Sequence, residues 1–81
     1  MEIKKIVRIT NRRDGMETCE FDLKDSSENS CRLEKCQIVP TTPGKICYSG
    51  NVIIENDEGV TEKSALLWVE ANESGTLVYN E

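Results

Sequence analysis

Three groups of residues in this sequence have types and spacings that could do chemistry. Arg8, Arg12 and Arg13 cluster near the amino end, and arginine grips anions through a planar, bidentate fork. Asp25-Ser26-Ser27-Glu28-Asn29-Ser30 gathers short polar side chains in one turn-prone stretch. Such a loop could grip a ligand, its carboxylate accepting hydrogen bonds and its serine hydroxyls donating them. Cys19, Cys31, Cys36 and Cys47 supply four thiols, the number that closes a tetrahedral zinc site.

The spacing of the cysteines favours a plainer role. Eleven, four and ten residues separate them. Only Cys31-Arg32-Leu33-Glu34-Lys35-Cys36 approaches a ligand pair, and no second pair follows. A free cysteine beside Phe21 behaves as a small buried hydrophobe. Zinc held by the four thiols is the alternative, and a Cys19–Cys36 disulfide in an oxidising preparation is another. The chain has no histidine, which excludes a Cys–His nucleophile. No glycine-rich phosphate loop is present, and the carboxylates of Glu55–Glu58 read as a solvated turn. No enzyme is expected. The polar stretch 25–30 also has a simple reading, since Asp, Ser and Asn between strands build turns.

Charge narrows the partners. The 81 residues carry a net charge of −5, which opposes a general grip on duplex nucleic acid or an anionic membrane. The sign is uneven. Lys4, Lys5, Arg8, Arg12 and Arg13 hold half of the ten basic side chains within residues 1–13, while Lys63 is the one cation after Glu55. A small anion could bind the basic end of an acidic protein. The longest apolar run, Ala65–Val69, falls far short of the ~20 residues that span a bilayer, and the first residues lack a secretory leader. A cytoplasmic protein is expected.

These residues must be positioned by strands. Asp14-Gly15 predicts a two-residue type I′ hairpin turn, and Pro43-Gly44, Gly50-Asn51, Glu58-Gly59 and Ser74-Gly75 mark further turns. Between them lie runs rich in β-branched and aromatic residues: 3–10, 17–24, 31–39, 45–49, 52–56, 60–70 and 76–80. Such spacing predicts an all-β antiparallel barrel of six to seven strands. Cys19, Phe21 and Leu23 share one face of a strand, and a hairpin at Ser26–Glu28 sets Leu23 against Cys31 and Phe21 against Leu33. The inward parity then slips at Glu34-Lys35, which predicts a β-bulge that brings Cys36 to Cys19. A short helix over 26–36 is the competing reading, with too thin an apolar stripe. Trp68, Tyr48 and Tyr79 are expected in the core.

The order of these elements resembles the PilZ domain family, small split β-barrels that bind cyclic dimeric GMP. "KDSSENSCRL" looks like the family's Asp-x-Ser-x-x-Gly loop and the strand after it. "TPGKICYSGNVI" is similar to its Pro-Gly segment, and "ALLWVEANESGTLVYN" to its last two strands, so the likeness covers about residues 17–80. The family's upstream Arg-x-x-x-Arg is matched by Arg8 to Arg12, with Lys4 to Arg8 as the other spacing, and Ser30 stands at the loop's glycine. If that position needs positive φ, serine costs about 1 kcal/mol there. The resemblance implies one domain over residues 1–81, with residues 1–13 a basic segment that orders around the ligand. It assigns Arg8 and Arg12, with Arg13 as substitute, to phosphate and guanine, and Asp25, Ser27 and Ser30 to loop contacts. It further implies a bacterial signalling adaptor that relays cyclic dimeric GMP to an unidentified protein partner, with no nucleic-acid polymer and no membrane. A barrel without nucleotide affinity that serves as a protein-interaction module is the first alternative. A four-cysteine zinc domain is the second.

Overall fold

Alternating apolar residues give this chain a set of strands with one buried face each. The computed structural model describes residues 1–80. Its strands are β1 (Glu2–Asp14), β2 (Cys19–Asp25), β3 (Ser30–Val39), β4 (Ile46–Asn56), β5 (Gly59–Val69) and β6 (Gly75–Tyr79), with a 3-10 turn at Ala71–Glu73. Each strand pairs antiparallel with the next, and β6 returns to β1, so the sheet closes into a barrel. The core fills its interior. Ile6, Ile9, Phe21, Leu23, Leu33, Val52, Leu67 and Leu77 are buried together with Cys36. Burial of each large aliphatic side chain contributes about 1.5–3 kcal/mol.

The β2–β3 hairpin has the expected register, Leu23 opposite Cys31 and Phe21 opposite Leu33. The β3–β4 register then shifts between Glu34 and Gln37. Lys35 takes positive φ (57°) at the bulge, and Cys36 turns inward opposite Cys19. Strand, not helix, occupies 30–36.

Other expectations need correction. Runs 45–49 and 52–56 form one strand, β4, which passes straight through Gly50-Asn51. A Cβ on Gly50 would lie 2.8 Å from the Glu34 carbonyl oxygen and 3.1 Å from Cys36 Sγ. This glycine makes room for the bulge of β3 instead of making a turn. The β1–β2 connection is also longer than two residues. Strand β2 starts at Cys19, and the Gly15 N–H donates to the Thr18 carbonyl at 2.7 Å. Gly15 is not among the residues with positive φ, so the turn is not type I′. The basic segment 1–13 is no loose arm. It is β1, paired with β6 and β2 along its length, because Ile6 and Ile9 are core residues. Trp68 lies outside the core cluster; it alternates with buried Leu67 and so faces outward. Tyr79 is buried, and half-buried Tyr48 packs on Phe21 with ring centroids 4.9 Å apart.

Candidate functional site

Registers across three ladders bring distant side chains into one groove. In β1–β2, Arg8 lies opposite Lys24 and Thr10 opposite Asp22. In β2–β3, Lys24 lies opposite Ser30 and Asp22 opposite Arg32. Directly opposed residues share a face. Two outward rows therefore cross the sheet, Arg8–Lys24–Ser30 and Thr10–Asp22–Arg32. With Arg12, Ile53 and Glu55 they line a groove of about 660 Å³. A smaller depression of about 270 Å³, lined by Lys4, Asp25 and Asn29, shares Ser30, Cys31 and Glu55 with it.

The groove lining holds Arg8, Arg12, Lys24 and Arg32 with Asp22 and Glu55, and Glu20 and Glu34 reach Arg12 and Arg32 from beside it. Two of the four cations have partners. Arg12 lies 3.6 Å from both Asp22 and Glu20, and Arg32 lies 3.2 Å from both Glu34 and Glu55. These carboxylates anchor the two guanidinium groups. Arg8 and Lys24 form no ion pair among the described residues. They lie opposite each other across an antiparallel pair, and like charges so opposed are destabilising. A bound anion would relieve the repulsion.

Asp25 does a different job from the one its residue type suggests. It ends β2 opposite Ile6 and is 9% exposed. Its Oδ1 accepts hydrogen bonds from the N–H groups of Ser27 (2.9 Å) and Asn29 (3.0 Å). Lys4 Nζ stands 4.0 Å from Oδ2. The carboxylate thus shapes the loop 26–29 from inside. Positive φ falls on Glu28 (65°) and not on Ser30, so serine at the loop's last position carries no backbone strain. Asp25→Ala leaves two N–H donors without their acceptor and is expected to lower the unfolding free energy by about 1–3 kcal/mol in urea denaturation. Asp25→Asn keeps the Oδ1 acceptor and should recover most of that loss.

Of the residues singled out from sequence, Arg8, Arg12 and Ser30 line the groove and Asp25 the adjoining depression. Arg13 and Ser27 line neither. Arg13 pairs with Glu20 at 3.0 Å, its side chain 78% exposed. Lys24, Arg32 and Thr10 escaped sequence reasoning. Their one signal is outward parity beside Leu23, Leu33 and Ile9, which any solvated strand residue shares.

The four thiols do not gather. Cys36 Sγ donates to the Leu33 carbonyl at 3.3 Å, and Cys19 Sγ to the Cys36 carbonyl at 3.7 Å. Cys31 packs on the core beside the smaller depression, while Cys47 lies opposite Trp68 and is 1% exposed. Among the described residues no three His, Cys, Asp or Glu side chains converge as metal ligands. All four cysteines are free. Burial pushes each thiol up, Cys36 to about 12 with help from Cys19, Glu20 and Glu34. They are protonated at neutral pH and poor nucleophiles.

Comparison of the chain with family models, with curated proteins and with solved structures returned no match. No helix among the described residues is long and apolar enough to cross a membrane.

Proposed function

We propose that this barrel is a non-catalytic binding module for a small nucleotide anion, cyclic dimeric GMP, and that occupancy of its groove is relayed to a partner protein. Arg8 and Lys24, opposed and without an ion pair among the described residues, carry this reading. Two cations kept face to face at a cost to stability are a natural seat for two phosphates. Arg12 and Arg32, already oriented by carboxylates, offer flat forks to guanine edges. Ser30 offers a hydroxyl donor at the end of the first row. Asp25 serves the site by holding the loop that leads into Ser30. The groove's volume of about 660 Å³ lies within the range of small-molecule sites.

Titration calorimetry tests it. Cyclic dimeric GMP should bind with a micromolar or lower Kd, GMP should bind more weakly, and Arg8→Ala should weaken the dimeric ligand at least about tenfold. A flat titration contradicts the nucleotide reading and leaves the protein-interaction module.

A further inference from the structure

Strand β6 is five residues long, and both of its neighbours outrun it. Pairing of β1 with β6 stops at Ile6, opposite Gly75, after which β1 continues to Asp14 held by β2 alone. At the opposite end, β5 pairs with β6 only over Ala65–Val69, and Gly59–Ser64 is held by β4 alone. The ring is closed, yet two stretches of strand edge have a single neighbour. Among the described residues no backbone hydrogen bond outside the β2 ladder reaches Val7–Asp14. An edge of this kind is a template for another strand. The Ala71–Glu73 turn packs beside β1, and the β1–β2 register shifts at Val7 and again at Arg12. The regular part of the open edge is therefore Arg8–Asn11.

The two edges differ in charge. On β5, Glu62 and Lys63 cancel. On β1 itself, Arg8, Arg12 and Arg13 outnumber Asp14; Arg12 and Arg13 already pair with Glu20 and Asp22 of β2, while Lys24 adds a cation opposite Arg8. Charges on an edge usually deter pairing, but charges of one sign deter selectively. A second copy's β1 would set arginine against arginine, whereas an acidic strand meets its complement.

We infer that the Val7–Asp14 edge of β1 docks an extended acidic segment of a partner protein, which adds as a strand and sets its carboxylates against Arg8, Arg12 and Arg13. This does not depend on nucleotide binding, although Arg8 and Arg12 also line the groove, so a nucleotide and the added strand would compete for them.

Fluorescence anisotropy with a labelled peptide of alternating threonine and glutamate, about seven residues long, tests it on the full chain. The peptide should bind saturably, and a glutamine-for-glutamate version should bind about tenfold or more weakly. Of two peptides N-methylated on alternate amides, which keep every charge, one should lose about tenfold in affinity because its ladder bonds are blocked. Amide exchange at Arg8–Asn11 should slow on binding. Absence of saturable binding, undiminished binding of the glutamine peptide or of both N-methylated peptides, or protection of Gly59–Ser64 instead overturns the inference.

Discussion

Replacing Lys24 with glutamate is expected to stabilise the fold and abolish ligand binding in the same variant. The Lys24 side chain faces Arg8 across the β1–β2 ladder, with no carboxylate paired to either among the described residues. Lys24→Glu turns a repulsive cross-strand pair into an attractive one. The gain is about 0.5 kcal/mol, a rise of a few degrees in Tm for a domain of this size. Asp22, outward on the same strand, and the more negative net charge offset part of it, so a larger gain is not expected. Binding should move far more. A carboxylate where a phosphate is to sit removes one charge-assisted contact and adds a repulsion, so affinity for cyclic dimeric GMP should fall at least about hundredfold. Lys24→Gln should be intermediate in both. Denaturant midpoints and calorimetry on the same preparations read the two effects together. A loss of stability in Lys24→Glu would mean that the opposed cations are not held at a cost.

The second large effect is structural. Gly75→Ala is expected to destabilise the barrel by about 3 kcal/mol, toward the upper end for an overpacked site. Gly75 opens β6 and pairs with Ile6 on one side and Val69 on the other, so it sits where the sheet closes. A Cβ there would collide with the Trp68 carbonyl oxygen and press on Ile9 Cδ1 at 3.3 Å. The first obstacle is backbone of a neighbouring strand and cannot swing aside as a side chain can. Against a total of about 5–15 kcal/mol for a small domain, the loss should show as a much lower guanidinium midpoint. Gly44→Ala is the control. A Cβ on Gly44 meets nothing within 4 Å, so its cost is that of the positive φ of 88° alone, about 1 kcal/mol.

The contrast between these glycines explains why the sequence was legible in some places and not in others. Phe21, Leu23, Cys31 and Leu33 alternate cleanly, and the hairpin they form has the register that alternation requires. The bulge at Glu34–Gln37 was also legible, because inward parity must break somewhere for Cys36 to reach Cys19. Gly50 misled, because a glycine that yields space to a neighbouring strand looks locally like one that makes a turn. The type I′ reading of Asp14-Gly15 failed for a related reason. A strong dipeptide signal does not fix loop length when the chain can instead bond Gly15 N–H to the Thr18 carbonyl.

The candidate site divides in the same way. Arg8, Arg12 and Ser30 stand out by type and position, and the ladders bring them to one groove. Lys24 and Arg32 look like ordinary solvated strand residues, and their convergence depends on registers across three ladders. Asp25 was conspicuous, but residue type does not reveal that its carboxylate turns inward onto Ser27 and Asn29.

A proton–nitrogen correlation spectrum recorded while cyclic dimeric GMP is added tests the central claim most directly, because it locates the ligand as well as detecting it. The groove reading predicts saturable shifts concentrated at the amides of Arg8–Arg12, Asp22–Lys24 and Ser30–Arg32, and lost in Lys24→Glu. A spectrum that does not change, or shifts gathered on β5 and β6 around Leu66, Trp68 and Val78, would contradict it.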